Sequence, residues 1–224
     1  MEQQKIMDLI NTELIYNIEL KSTHPHEPIQ VIKKPDNWNC IGTGNYAAVF
    51  LRSEEDEFVV KVYARGKETI EEEAKVYKKL GIHAAFPFLI HKGPNYLVLK
   101  RIRGITLYNA IMQGVKIPPK VIEDINKALK YAKKRGLNPV DVHGKNVMMY
   151  EGRGYVVDVS DFLKEEADTK WTDIAKAYYK IYMRTLYKHP IPVPNFVLNL
   201  IRRSYRKYKN IETFILNKKS GEHR

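Results

Sequence analysis

Asp141, Asn146 and Asp158 are polar side chains placed where a phosphoryl group could be moved. The first two lie five positions apart in Pro139-Val140-Asp141-Val142-His143-Gly144-Lys145-Asn146-Val147-Met148-Met149, which runs straight into an apolar strand. A carboxylate and an amide at that spacing on one rigid loop can divide the work of phosphoryl transfer. The carboxylate orients an attacking hydroxyl and takes its proton, while the amide oxygen ligates magnesium. Twelve residues after Asn146, the apolar strand Tyr155-Val156-Val157 delivers Asp158, a second candidate ligand for a metal bridging two phosphates. Asp161, three residues further on, reads as a helix cap or turn residue.

The stretch Phe58-Val59-Val60-Lys61-Val62-Tyr63 places one lysine inside an otherwise apolar strand, 17 residues after Gly44. An ammonium in such a place needs an anionic partner. The following helix offers Glu73, in register with Val76, Tyr77 and Leu80, whereas Glu71 and Glu72 fall on the solvated face. Paired with Glu73, Lys61 is poised for the α- and β-phosphates of a nucleotide. Upstream, Ile41-Gly42-Thr43-Gly44-Asn45-Tyr46-Ala47-Ala48-Val49 follows the template of a glycine-rich nucleotide loop. Gly42 and Gly44 would let the backbone approach phosphate, and Val49 would cover a base. By itself the pattern is more often a plain hairpin, and a Rossmann turn is disfavoured because strand, not helix, follows it.

These side chains need two kinds of scaffold. From Trp38 to Lys100 the periodicity predicts strands at 38–41, 47–52, 58–63, 88–91 and 96–99 around one helix at 67–80, a mainly antiparallel sheet with a single helix. From Leu107 onward the signals turn helical. Val121, Ile122, Ile125, Leu129 and Ala132 trace one face of a helix that Pro118 and Pro119 start and Gly136 ends. Two short strands, 146–150 and 154–157, flank the turn Glu151-Gly152-Arg153. Two further helices carry apolar stripes that predict burial: Trp171, Ile174, Ala175, Tyr178, Ile181 and Tyr182 on the first, and Val197, Leu198, Ile201, Tyr205 and Tyr208 on the second. Residues 1–37 hold a short amphipathic segment and the polar stretch His24 to Pro28, and the sequence gives this extension no place in the fold.

The 224 residues, 44% of them hydrophobic, suffice for one core or two small lobes sharing an interface. No stretch approaches the roughly 20 apolar residues of a membrane span, and Glu2, Asp8, Glu13 and Glu19 interrupt the amino terminus where a signal peptide would be apolar. A cytoplasmic location is the expectation. Cys40, the one cysteine, can form neither an internal disulfide nor a thiolate metal site. The net charge of +12 attracts polyanions without choosing among nucleotides, nucleic acid, acidic proteins and anionic lipid. The basic run Arg202-Arg203-Ser204-Tyr205-Arg206-Lys207-Tyr208-Lys209 could bind RNA or an acidic partner, although Tyr205 and Tyr208 also fit a buried stripe with the cations on a solvated face.

Taken in order, this set resembles the protein kinase-like superfamily over about Ile41 to Tyr182. The resemblance implies an α+β, bilobal fold: a small antiparallel-sheet lobe with one helix at 38–102, and a reduced, mainly helical lobe at 103–224, after the extension 1–37. It implies ATP and Mg2+ as cofactors. Ile41, Gly42, Thr43, Gly44 and Val49 would form the nucleotide loop, and Lys61 and Glu73 the strand–helix ion pair. Asp141 would be the catalytic base, and Asn146 and Asp158 the metal ligands. Tyr96 to Gly104 is similar to the strand that enters the hinge, so backbone groups near Lys100 and Ile102 would bind adenine.

Departures from the protein-kinase pattern bear on the acceptor. Pro139-Val140 stands where His-Arg is usual, Val159-Ser160 follows Asp158 in place of Phe-Gly, and no Ala-Pro-Glu follows. The missing arginine removes the usual partner of an activation-loop phosphate. Asp141-Val142-His143 with Asn146 resembles the aminoglycoside and choline kinases, and small atypical kinases of the RIO and lipopolysaccharide-kinase kind are similar in size. His143 or Lys145 would supply the positive charge at the transferring phosphoryl group, Lys145 being favoured for its permanent charge. A serine/threonine protein kinase is the leading expectation, with a small-molecule kinase or a nucleotide-binding pseudokinase as alternatives.

Overall fold

The computed structural model describes residues 2–25 and 27–221. The chain opens with α1 (Glu2–Leu9), which passes directly into a π-helical stretch, Ile10–Ile15. Strands β1 (Glu19–Lys21) and β2 (Gln30–Lys33) then pair antiparallel. Next come β3 (Trp38–Thr43), β4 (Ala47–Arg52), β5 (Phe58–Tyr63), α2 (Lys67–Leu80), β6 (Leu89–Lys92) and β7 (Tyr96–Lys100). The five strands form one antiparallel sheet in the order β3-β4-β5-β7-β6, matching the predicted strands to within two residues at their ends.

Both faces of this sheet are covered, which explains why β5 reads as almost continuously apolar. Phe58, Val60 and Val62 point to one side, where they pack with Trp38, Phe50, Tyr96 and Val98 against Met7, Ile10 and Leu14. The spacing of those last three residues is that of one helical face. The amino-terminal extension, to which the sequence assigned no place, is thus the cover of the sheet. Glu13 fastens it by accepting hydrogen bonds from Asn37 Nδ2 at 2.7 Å, Arg52 Nε at 3.2 Å and Trp38 Nε1 at 3.4 Å. Tyr63 lies in a separate hydrophobic cluster with Ile70, Ala74 and Tyr77 of α2, and Val59 packs against it.

After β7 the chain forms β8 (Ile105–Thr106), α3 (Leu107–Gln113), α4 (Pro119–Lys134), β9 (Val147–Tyr150) and β10 (Arg153–Val156). Strands β8, β9 and β10 make a third antiparallel sheet. The turn between β9 and β10 holds Glu151 at φ 49° and Gly152 at φ 73°, the two positive values a tight hairpin requires. Gly154 is needed for a different reason: a Cβ there would collide with the Val121 carbonyl of α4, so only a glycine lets β10 lie against that helix. The same cluster that contains Tyr63 continues through Val121, Ile125 and Leu129 of α4 to Val147, Val156 and Phe162. At the end of α2, the Leu80 carbonyl accepts from Tyr131 OH at 2.6 Å and the Lys79 carbonyl from Arg135 Nε at 2.6 Å. Tyr131 of α4 and Arg135 just beyond it therefore satisfy carbonyls that the helix end leaves over, and tie α2 to α4.

The carboxyl-terminal third departs from the expected stripes. It comprises α5 (Lys170–Ala177), a π-helical stretch Tyr178–Tyr182, α6 (Met183–Thr185) and α7 (Asn195–Gly221). Trp171, Tyr178 and Tyr182 are buried as expected, but Ile181 is 62% exposed. The π-helical stretch widens the turn, so the 3.6-residue phase no longer applies and Ile181 rotates out. On α7, Ile201 and Tyr208 are exposed rather than buried, as are Phe196 and Leu200. That helix touches the rest of the chain through polar contacts, Asn195 Oδ1 with Tyr108 OH at 2.5 Å and Asp173 Oδ2 with Tyr205 OH at 2.9 Å. Among the described residues no helix is long and apolar enough to cross a membrane.

Candidate functional site

Strand alternation puts Val59, Lys61 and Tyr63 on the α2 side of β5, and α2 presents Glu73 to them. Lys61 Nζ lies 2.8 Å from each Glu73 oxygen and 3.5 Å from Asp158 Oδ1. Glu73 is fully buried, and Tyr63 OH donates to its Oε2 at 2.5 Å. Tyr63 was absent from the sequence-derived set, although its place two residues after Lys61 on the same face was a usable signal. Glu71 instead faces solvent and pairs with Lys92 at 2.5 Å.

Burial disfavours charge on Lys61, but the carboxylates of Asp158 and Glu73 more than offset this and raise its pKa above the usual lysine value. Burial likewise opposes ionisation of Asp158. The Lys61 ammonium, and hydrogen bonds from the Ser160 backbone and side chain, overcome it and hold the carboxyl below the usual range. The Ser160 N–H donates to Asp158 Oδ1 at 3.1 Å. Val159, between them, is fully buried in the core and anchors the turn. Asp161 sits in the next turn, where its carbonyl accepts from the Lys164 amide at 3.1 Å and its Oδ1 pairs with Lys164 Nζ at 3.0 Å.

Val49 lies directly opposite Lys61 across the β4–β5 pair, so the two side chains share a face of the sheet. Ile41 sits at an irregularity in the β3–β4 register and is 53% exposed. Thr43 ends β3, and the hairpin closes with the Gly44 amide donating to the Ala47 carbonyl at 2.8 Å. A Cβ on Gly42 would meet nothing within 4 Å, so the backbone there borders open space. Lys100 belongs to β7 and its amide is committed to the Phe88 carbonyl at 3.0 Å. Ile102, two residues on, has no backbone hydrogen-bond partner among the described residues. Of the two residues expected to bind adenine, Ile102 is the one whose amide is uncommitted among the described residues.

On the opposite side, Asp141 adopts φ 58°, a left-handed conformation uncommon outside glycine. Its carbonyl accepts from Asn146 Nδ2 at 3.0 Å, and the Asn146 carbonyl accepts from the Val157 amide at 2.9 Å, next to Asp158. The first bond occupies the amide nitrogen of Asn146 and leaves its oxygen as the donor available to a cation. One carboxylate and one amide oxygen are hard ligands of the kind Mg2+ uses together with phosphates. Among the described residues no group of three His, Cys, Asp or Glu forms a protein-only metal cage.

Of the two cations expected at Asp141, His143 lies beside it, and a third, unexpected one lies closer. Lys145 Nζ lies 4.8 Å from the centre of the Tyr108 ring, and His143 Nε2 lies 3.7 Å from Asp141 Oδ2. Lys170, at the start of α5, reaches Asp141 Oδ1 at 2.6 Å. Asp168 accepts from the Asp141 amide and from the Lys170 amide, each at 2.6 Å. Nothing local in the sequence marks Lys170 or Asp168, which stand 29 and 27 positions from Asp141 and meet it only through the fold. The basic run lies on α7, where Arg202, Arg203, Arg206 and Lys207 are exposed and Lys209 pairs with Asp173 at 3.2 Å.

A strand-borne lysine clamped to a helix glutamate and facing an aspartate delivered by another sheet, in an α+β chain, is consistent with a small kinase-like fold. No family model matches the chain. It is 32% identical over 181 residues to the protein named "Putative serine/threonine-protein kinase YrzF" of Bacillus subtilis (strain 168), an alignment covering 80% of this chain and 83% of that protein. The chain belongs to the kinase-like family of that protein.

Proposed function

We propose that this chain is an ATP-dependent kinase of bilobal form that moves the γ-phosphoryl group to a serine or threonine hydroxyl of a protein. The observation that carries the reading is Lys61, held between buried Glu73 at 2.8 Å and Asp158 at 3.5 Å. A buried ammonium with two carboxylates is a costly arrangement for structure alone, and one suited to gripping phosphates beside a metal. In this reading residues 38–102 and 103–224 are the two lobes.

Gly42 to Gly44 would lie over the phosphates, with Ile41 and Val49 against the base and Ile102 offering its backbone to the adenine edge. Lys61 binds the α- and β-phosphates and is kept in position by Glu73. Asp158 and Asn146 would hold Mg2+, which supplies charge neutralisation on the β- and γ-phosphate oxygens when bound. Asp141 orients the acceptor hydroxyl and receives its proton as the oxygen forms a bond to the γ-phosphorus. The bond from that phosphorus to the bridging oxygen breaks, and its electron pair leaves with ADP.

Incubation with radiolabelled ATP, magnesium and a general acceptor protein tests this. Label should enter the acceptor with wild-type protein and not with Asp141→Ala, and equal, background labelling by both would refute it. The Asp141-Val142-His143 pattern with Asn146, and the lack of an Ala-Pro-Glu element after Asp158, support a small-molecule acceptor as the second reading. ADP release that depends on an added metabolite, without protein labelling, would select it.

A further inference from the structure

We propose that Lys170 supplies the cation at the point of phosphoryl transfer, and that Asp168 is the positioning residue that holds it there. This rests on the kinase reading above and assigns a role within the same site. Phosphoryl transfer needs positive charge beside the three γ-oxygens as the acceptor bond forms and the bond to the leaving oxygen breaks. Of the cations on this side of the site, Lys145 is turned over the Tyr108 ring, and His143 carries charge only when protonated. Lys170 is the permanent charge in contact with Asp141, at 2.6 Å.

The contact is built rather than incidental. One carboxylate, Asp168, uses Oδ2 to accept from the Asp141 amide and Oδ1 to accept from the Lys170 amide, both at 2.6 Å. It therefore fixes the catalytic loop and the first residue of α5 to each other. It also secures Asp141 in its left-handed conformation, which lowers the freedom of the very carboxylate that must meet the hydroxyl. Lys170 is 44% exposed, so its ammonium is accessible to a substrate as well as to Asp141. An ammonium has three N–H donors. One serves Asp141 Oδ1, and the longer approach to Asp168, at 3.6 Å, leaves capacity for a phosphoryl oxygen.

Two consequences follow from this placement. The cation stabilises the charge that builds on the γ-phosphoryl oxygens. It also engages Asp141 through Oδ1, so that Oδ2 remains to take the hydroxyl proton. A lysine acting instead as a latch over the base would have to be expelled before reaction, and its removal would raise the rate.

The test compares wild type with Lys170→Met, Lys170→Arg, Asp168→Asn and Lys145→Met by steady-state kinetics on a labelled acceptor. Nucleotide affinity is measured separately by titration with Mg-ATP, and folding by thermal melting. Lys170→Met should lower kcat by about 100-fold while changing nucleotide affinity less than about threefold. That split between kcat and nucleotide affinity is an effect that loss of packing would not produce. Lys170→Arg should recover part of the rate by retaining the charge, and Asp168→Asn should lose rate by a smaller factor. A Lys170→Met enzyme as fast as or faster than wild type, or a larger loss in Lys145→Met, overturns the assignment while leaving the kinase reading intact. Absence of transfer by wild type itself overturns both. If Lys170→Met fails to fold, the Lys170→Arg and Asp168→Asn rates decide: wild-type values in both would contradict the proposal.

Discussion

Replacing Glu73 with alanine should unfold the chain at a distinctly lower temperature. Glu73 is fully buried and takes two hydrogen bonds from Lys61 at 2.8 Å and one from Tyr63 at 2.5 Å. Its removal leaves Lys61, only 13% exposed, with Asp158 at 3.5 Å as the remaining counter-charge, and leaves the Tyr63 hydroxyl without that acceptor. Breaking a buried ion pair by deleting one partner costs about 3–5 kcal/mol. Asp158 retains part of the compensation, so a loss of about 3 kcal/mol is expected, roughly 6–12 °C in Tm for a chain of this length. Removing the whole polar cluster as Lys61→Met/Glu73→Leu/Tyr63→Phe should cost less than Glu73→Ala alone, because no charge is then stranded. The same triple variant should lose ATP binding. Thermal melts followed by circular dichroism give the Tm values, and nucleotide titration gives the binding. A Glu73→Ala protein melting within about 2 °C of wild type would refute this account of the cluster.

Acid stability should depend on Asp124, whose carboxyl is lowered from 3.8 to about 2: burial opposes ionisation, and the bonds from Arg153, Lys120 and the Gly154 amide prevail. Because the folded value lies below the unfolded one, this stabilisation is complete above the unfolded value and is lost as pH falls towards the folded one. It is at most about 2 kcal/mol, reduced by solvent screening around half-exposed Arg153 and Lys120. Urea unfolding between pH 6 and pH 2.5 should therefore show a shallower acid decline for Asp124→Asn than for wild type. Gly154→Ala should cost about 1–3 kcal/mol, read from urea unfolding, since its methyl group meets the backbone of α4 rather than a movable side chain. Glu13→Ala should cost about 1–2 kcal/mol by the same measurement and should increase hydrogen exchange in α1, because the bonds from Asn37, Arg52 and Trp38 that fasten the cover of the sheet are lost.

The antiparallel sheet, α2 and α4 were legible because their signals are local. Strand alternation, the Pro118–Pro119 start of α4 and Gly136 beyond its end act within a few residues, and they delimited these elements closely. The Lys61–Glu73 pair was legible for a related reason: an ammonium in an apolar strand demands an acid, and helical phase selects one of three neighbouring glutamates. The amino-terminal cover was not, because Met7, Ile10 and Leu14 mark an apolar face without saying what it faces. The exposed positions of Ile181, Ile201 and Tyr208 show the converse limit. A π-helical stretch breaks the phase at Ile181, and an apolar stripe on α7 does not ensure that anything packs on it. Lys170 and Asp168 left no trace, since a salt bridge across 29 residues has no periodicity to betray it.

The central claim, that Lys61, Asn146 and Asp158 converge on one nucleotide, is tested most directly by a crystal structure with a non-hydrolysable ATP analogue and Mg2+. Lys61 Nζ should lie within hydrogen-bond distance of an α- or β-phosphate oxygen, with the Asp158 carboxylate and the Asn146 amide oxygen on the metal. A nucleotide bound elsewhere, or Asp158 turned away from the metal, would contradict it.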